Sequence, residues 1–183
     1  MMTKQQLRRQ YLSMRNGMTD GKIKSEQIAL RLYESGAKQW KHIFCYLSFG
    51  NEADTIAIVQ QMLEWGTAVS VPVCSPADCT MTPSVIDSLA DCTKNCYGIL
   101  EPAKIIPPDM AFDAVLVPGV VFSRTGHRIG FGKGYYDRFL HTVSGSPLKI
   151  GLCYDWQLLD DIPHEPHDVT MDWIMTEERT LVL

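Results

Sequence analysis

Apolar side chains recur along this chain at two different spacings, and the change of spacing marks the elements. From Lys4 to Met14, the residues Leu7, Tyr11 and Met14 fall at helical intervals among Arg8, Arg9 and Arg15, which predicts an amphipathic helix. Thr19 or Asp20 is placed to cap a second helix, which draws on Ile23, Ile28, Leu30 and Leu32 and ends at Gly36. The period then shortens. His42-Ile43-Phe44-Cys45-Tyr46-Leu47 is a short, apolar run of the kind that forms a buried strand. Asp54 caps a third helix with Ile56, Val59, Met62 and Leu63 on one face, Gly66 closes it, and residues 68–73 form the next strand. Strand, helix and strand in that order point to parallel pairing beneath covering helices.

Residues 75–95 are polar and read as irregular, with short strands near Met81 and Val85. Residues 114–117 and 149–154 are further apolar strands, and 173–176 and 180–182 weaker ones. Only Pro107-Pro108 has linker-like composition, and it is too short to separate domains. The expectation is one α/β domain spanning 1–183, with a largely parallel sheet and an N-terminal pair of helices.

Composition narrows the classes. The chain has 183 residues, is 45% hydrophobic and 21% charged, and carries a formal charge of −4, which suits a packed soluble domain and disfavours an extended nucleic-acid footprint. Nothing approaches the roughly 20 apolar residues of a membrane helix. Met1-Met2-Thr3-Lys4-Gln5-Gln6 lacks the apolar core of an export signal, so the expected location is the cytoplasm. Cysteines at 45, 74, 79, 92, 96 and 153 include no Cys-x-x-Cys pair, so neither a zinc site nor disulfides are expected, and Cys45 and Cys153 sit in apolar runs as core residues do.

The chemistry concentrates between Val117 and Leu140. The segment leaves a strand, passes Gly126, Gly130, Gly132 and Gly134, and enters an apolar helical run. Glycines let backbone N–H groups approach an anion, and a helix starting near Gly134 aims its positive dipole end at the same place. Arg124, His127, Arg128, Lys133 and Arg138 make this stretch locally basic in an acidic chain. These features together outweigh a solvated glycine-rich turn and point to an anion site suited to phosphate. Gly132-Lys133 is followed by Gly134, so this is not a Walker A loop, and Gly130-x-Gly132-x-Gly134 lacks the dinucleotide spacing.

Gly126-His127-Arg128-Ile129-Gly130-Phe131-Gly132-Lys133-Gly134-Tyr135-Tyr136-Asp137 closely resembles the signature of the 5-formyltetrahydrofolate cyclo-ligases, also called methenyltetrahydrofolate synthetases. Val117-Pro118-Gly119 and Phe122 fit the same block. Three weaker segments agree in order: Lys4-Gln5-Gln6-Leu7-Arg8, then Leu47-Ser48 with Glu52 and Thr55, then Gly98-Ile99-Leu100-Glu101-Pro102. The resemblance implies a three-layer fold like that of glucosamine-phosphate isomerase and coenzyme A transferase. It implies an ATP- and Mg²⁺-dependent ring closure of 5-formyltetrahydrofolate to 5,10-methenyltetrahydrofolate, through a phosphorylated formyl group. It also implies a monomer whose partner is this small molecule, including its polyglutamylated forms, with no nucleic-acid or membrane partner.

Roles follow by motif position. Lys4 and Arg8 lie one helical turn apart and read on spacing alone as a solvated face; the resemblance turns them, with Gln5, Gln6 and Leu7, toward ATP. Arg128, Gly130, Phe131, Gly132, Lys133, Gly134, Tyr135 and Tyr136 complete the implied nucleotide site. Lys133 and Arg128 are the implied catalytic cations, an ammonium and a guanidinium suited to phosphoryl oxygens. Leu47, Glu52 and Tyr135 fall to the folate; a carboxylate at Glu52 can accept the pterin's N–H groups. Asp137 and Asp168 are the implied Mg²⁺ ligands, with Asp172 the alternative to Asp168. His164 and His167 read as solvated, and Trp156 as packing or pocket-lining. A folate binder without turnover would not need these cations and carboxylates, and a sugar-phosphate isomerase would need neither the Lys4/Arg8 pair nor a metal carboxylate.

Overall fold

The structure is a computed structural model that describes residues 2–95 and 98–183, so Cys96 lies outside the described residues. The helices are α1 (Lys4–Asn16), α2 (Gly21–Glu34), α3 (Ile56–Glu64) and α4 (Tyr135–Thr142). The strands are β1 (His42–Cys45), β2 (Ala68–Ser75), β3 (Thr80–Ile86), β4 (Cys92–Lys94), β5 (Leu100–Pro102), β6 (Ala114–Val117), β7 (Val121–Ser123), β8 (Arg128–Ile129), β9 (Leu148–Leu152), β10 (Leu158–Leu159), β11 (Trp173–Met175) and β12 (Thr180–Val182).

A seven-stranded sheet runs β12-β11-β9-β6-β1-β2-β3. Its inner strands pair in parallel, while β3 and β12 lie antiparallel at the two edges. The parallel strands are near-continuous apolar runs because both faces are covered. Alternation within β1 shows it: Ile43 and Cys45 pack in the core shared with Ile28 and Leu32 of α2 and Ile58 and Met62 of α3. Phe44 faces the other way, into a core with Phe139 and Leu140 of α4. The N-cap of α3 is Thr55, one residue after the expected Asp54, whose Oδ1 still accepts the Ile56 N–H at 2.9 Å.

One expectation needs correction, and the N-terminal pair gains detail. The stretch 75–95 is largely ordered: β2 runs on to Ser75 and pairs with β3 along its whole length, from Ser75↔Thr80 to Val69↔Ile86. The N-terminal helices are consecutive but bury against different surfaces. Leu7 and Tyr11 of α1 pack on a small second sheet, β10-β7-β8, through Val121 and Ile129. Helix α2 packs on the main sheet, and two of its apolar residues, Ile23 and Leu30, are exposed.

Among the described residues, no helix is long and apolar enough to cross a membrane.

Candidate active site

The carboxyl ends of the parallel strands open into loops along one edge, where open α/β sheets place their ligands. Glu52 follows β1, Gly119 follows β6 and Tyr154 follows β9. Helix α1 and the glycine segment close on the same edge. A Thr3–Gln6 capping box starts α1: Thr3 Oγ1 accepts the Gln6 N–H at 3.2 Å, and Gln6 Oε1 accepts the Thr3 N–H at 2.9 Å. That places Lys4 in its first turn and Arg8 one turn later.

Both cations reach far across the sequence. Lys4 Nζ donates to Asp168 Oδ2 at 2.6 Å, with Glu165 at 3.6 Å. Arg8 Nε donates to the Gly130 carbonyl at 2.7 Å. Gly132 has φ +93° and Gly134 φ +68°, values that only glycine adopts readily. A Cβ at Gly132 would also stand 3.1 Å from the Arg8 guanidinium carbon, so the loop and α1 touch backbone to side chain.

Arg128 enters from β8 and is only 8% exposed. Its Nη2 meets Asp137 Oδ1, in the first turn of α4, at 2.9 Å, and the Val169 N–H donates to the same oxygen at 3.3 Å. Burial pushes the guanidinium's pKa down, and the charge of Asp137 opposes it. Burial also pushes the Asp168 carboxyl up, but the Lys4 hydrogen bond and the Glu165 N–H outweigh it and hold the group below its ordinary value. Asp137 and Asp168 thus approach from neighbouring elements, each matched to a cation. Two carboxylates are too few for a closed metal cage, but they suit Mg²⁺, which takes one or two carboxylates and completes its octahedron from phosphate and water. Lys133 projects exposed from the loop, while its carbonyl accepts from Arg138.

The other half of the edge centres on Glu52. Its Oε2 accepts the Phe49 N–H at 2.9 Å, and its carbonyl accepts the Tyr154 hydroxyl at 3.0 Å. Burial pushes its carboxyl up; the Phe49 N–H and the charge of Arg15 oppose this. A cavity of about 450 Å³ is bordered by Ser25, Ser48, Glu52 and Tyr154. A second, of about 460 Å³, lies between β3 and α4 around Met81, Phe112 and Phe139 and holds none of the candidate residues.

The implied residues do not all meet a ligand surface in the same way. Leu47 is 4% exposed and packs in the main core. Leu7 is core under α1, Gln6 is half of the cap, and Gln5 is exposed. Tyr135 leans toward the β2–β3 hairpin, its hydroxyl 3.4 Å from the Ser75 carbonyl. Tyr136 is inward, with Arg128 5.7 Å above its ring, and its buried hydroxyl has no partner among the described residues. His164 is not simply solvated: it stacks on His127, ring centroids 3.7 Å apart. Trp156 stacks between Tyr11 at 5.8 Å and Tyr154 at 6.2 Å, tying α1 to the Glu52 side. Sequence reasoning missed Arg15 and Tyr154 as members of this edge. Arg15 had a signal: it lies seven positions after Arg8, two helical turns, and so on the same face.

An α/β protein with a glycine-rich loop and paired cations and carboxylates at the sheet's carboxyl edge is the class this geometry defines. The profile of the 5-formyltetrahydrofolate cyclo-ligase family matches residues 1–177, and the chain belongs to that family. It is 33% identical to the 5-formyltetrahydrofolate cyclo-ligase of Mycolicibacterium smegmatis, over 98% of this chain and 96% of that one. It is 31% identical to the Saccharomyces cerevisiae 5-formyltetrahydrofolate cyclo-ligase, over 99% and 98% of the two chains. Among solved structures, the Aquifex aeolicus 5,10-methenyltetrahydrofolate synthetase superposes with a TM-score of 0.84 at 27% identity, covering 99% of this chain and 93% of that one.

Proposed function

We propose that this chain, acting as one domain, closes 5-formyltetrahydrofolate to 5,10-methenyltetrahydrofolate at the cost of ATP, with Mg²⁺, releasing ADP and phosphate. The observation that carries the reading is the reach of Arg8 to the Gly130 carbonyl at 2.7 Å and of Lys4 to Asp168 at 2.6 Å, which brings one N-terminal cation onto the glycine loop and the other onto a candidate metal carboxylate. In the reaction the formyl oxygen on N5 bonds to the γ-phosphorus as the bond to ADP breaks. N10 then attacks the formyl carbon, loses its proton, and the ring closes as phosphate leaves.

The protein has no nucleophile to supply here; its contribution is alignment and charge. Backbone N–H groups from Gly130 to Gly134 and the start of α4 face the phosphates, with Phe131 within that run. Lys133 and Arg128 neutralise charge on the transferring phosphoryl group, and Lys4 and Arg8 hold the rest of the chain of phosphates. Asp137 and Asp168 would hold Mg²⁺, which supplies further charge neutralisation when bound. Glu52 accepts the pterin's N–H groups, Tyr135 flanks the folate, and Leu47 shapes the floor beneath it. The protein works as a cytoplasmic monomer, and polyglutamylated folate is within its substrate class.

The test is a spectrophotometric assay with 5-formyltetrahydrofolate and Mg-ATP, following the near-ultraviolet absorbance of the methenyl product. The expected result is methenyl product and ADP in equal amounts. Folate binding without turnover would make the chain a folate-sequestering relative, and ADP formed without ring closure would overturn the reading.

A further inference from the structure

The loop between β1 and α3 contains a tight turn, Phe49-Gly50-Asn51-Glu52, whose two ends carry an aromatic ring and a carboxylate. It is closed twice. The Glu52 N–H donates to the Phe49 carbonyl at 3.4 Å, and the Phe49 N–H donates to Glu52 Oε2 at 2.9 Å. Gly50 has φ +61°, the left-handed backbone that glycine takes at little cost. Neighbours brace the turn from both sides: Thr55 Oγ1 accepts the Ser48 N–H at 3.0 Å, and the Tyr154 hydroxyl donates to the Glu52 carbonyl at 3.0 Å. The ring of Phe49 is nevertheless 45% exposed, and a Cβ placed on Gly98, in the β4–β5 turn, would lie 3.7 Å from its Cε2. Single exposed apolar side chains are ordinary on helix faces, as Ile23 and Leu30 are here. Phe49 differs from them because a braced turn holds its ring beside a carboxylate and presents the two together.

We propose that Phe49 is a substrate-binding residue, the platform on which the pyrimidine ring of the folate's pterin stacks while Glu52 accepts that ring's N–H groups. The inference rests on Glu52 being the folate's acceptor. Oε2 of Glu52 is engaged by Phe49, and Oε1 has no hydrogen-bond partner among the described residues. A ring whose edge N–H groups stand about 3 Å from that carboxylate lies within one side-chain length of Phe49. The ligand's chemistry fits on both counts. The pyrimidine half of a reduced pterin stays flat and conjugated, so it offers a face to an aromatic ring and an edge to a carboxylate. Flat heterocycles of any substitution gain from an aromatic platform. The cations suited to a nucleotide's phosphates sit on α1 and the glycine segment instead, so the ring beside Glu52 falls to the folate.

The experiment is steady-state kinetics with 5-formyltetrahydrofolate and Mg-ATP varied in turn, beside thermal melts. It compares wild type, Phe49→Ala, Phe49→Leu, Phe49→Tyr and Glu52→Gln. Phe49→Ala is expected to raise the folate KM about tenfold, with the loss in KM rather than kcat and the KM for Mg-ATP unmoved. Phe49→Leu keeps an apolar side chain but no flat face, so it should show most of the same loss at a wild-type melting temperature. Phe49→Tyr keeps the face and should recover most of the affinity. A wild-type folate KM in Phe49→Leu would mean that bulk alone is needed, and would overturn the stacking role. KM values for folate and Mg-ATP that rise together in Phe49→Ala would overturn it too, because the turn would then be scaffolding for both ligands. If Phe49→Ala does not fold, the comparison of Phe49→Leu with Phe49→Tyr decides. A Glu52→Gln variant with wild-type folate KM overturns the Glu52 reading and this inference with it. A raised folate KM in Glu52→Gln beside an unchanged one in Phe49→Ala overturns the role of Phe49 alone.

Discussion

Asp137 serves two cations in this reading, one in the structure and one that arrives with the nucleotide. Its Oδ1 lies 2.9 Å from the Arg128 guanidinium, which is nearly buried. Taking away one charge of a buried pair leaves the other uncompensated, at a cost of about 3–5 kcal/mol when the whole partner is lost. Asp137→Asn keeps a hydrogen-bonding oxygen, so its stability loss should be smaller than that. The Mg²⁺ needed for half-maximal rate should rise about tenfold or more at saturating ATP and folate. Asp168→Asn should move the Mg²⁺ requirement less and the KM for ATP more, because it frees Lys4, 2.6 Å away. A magnesium titration beside a thermal melt separates the two effects. A lower melting temperature with unchanged Mg²⁺ dependence would leave Asp137 a structural counter-ion. Single residues were unevenly legible in the sequence. The pairing of Lys4 with Asp168 joins positions far apart in the chain, which no local pattern encodes. Leu47 carries a family role by position and lies buried two residues beyond β1, a placement that the apolar run 42–47 alone could not separate from the strand.

Gly151 shows how elements lock together behind the site. It lies on β9 in the main sheet, and a methyl group added there would fall well inside the van der Waals radius of the Phe122 ring, which belongs to β7 of the small sheet. Gly119, whose carbonyl holds Arg15, faces the same ring. Gly151→Ala should therefore destabilise by roughly 1–3 kcal/mol, the usual range for overpacking a filled core. Adding Phe122→Leu should recover some of the loss, so the two changes should be clearly non-additive in denaturant midpoints. Strict additivity would mean the clash is relieved by backbone movement elsewhere. The long periodic elements were legible in advance: α1, α2, α3 and the strands at 42–45, 68–73 and 114–117 follow from spacing and apolar runs. β3 was legible only as short strands near Met81 and Val85, because Thr80–Ile86 is an edge strand that mixes exposed Thr80 and Thr82 with a buried Ser84 and sets Pro83 opposite Pro72. β7, β8 and β10 have two or three residues each, too few to show a period at all. The small sheet that seats α1 was thus invisible in the pattern, although it holds Arg128.

At the scale of the whole molecule, acid should act on the fold and on the site through different groups, with opposite signs. His42 is buried at the start of β1, its ring nitrogens 3.1 Å from the Met110 carbonyl and 2.9 Å from Ser70 Oγ. Burial lowers its pKa in the folded protein, and burial followed by the stacked His164 lowers that of His127. A histidine held neutral in the fold takes up its proton more readily when unfolded. The stability it lends is present above its unfolded value, about 6.5, and is lost as pH falls toward the folded value. Asp168, held below its ordinary value by Lys4, loses its contribution only at still lower pH. Glu52 has the reverse sign: burial raises its pKa, so protonation relieves a cost to the fold while removing the acceptor that the folate needs. Urea midpoints should accordingly fall between pH 7.5 and 5.5, and His42→Gln should flatten that slope. The folate KM of the still-folded enzyme should rise as pH falls toward the raised Glu52 value, in wild type and His42→Gln alike, and stay flat in Glu52→Gln. A stability slope that survives His42→Gln unchanged would assign the acid sensitivity to other groups, His127 first among them.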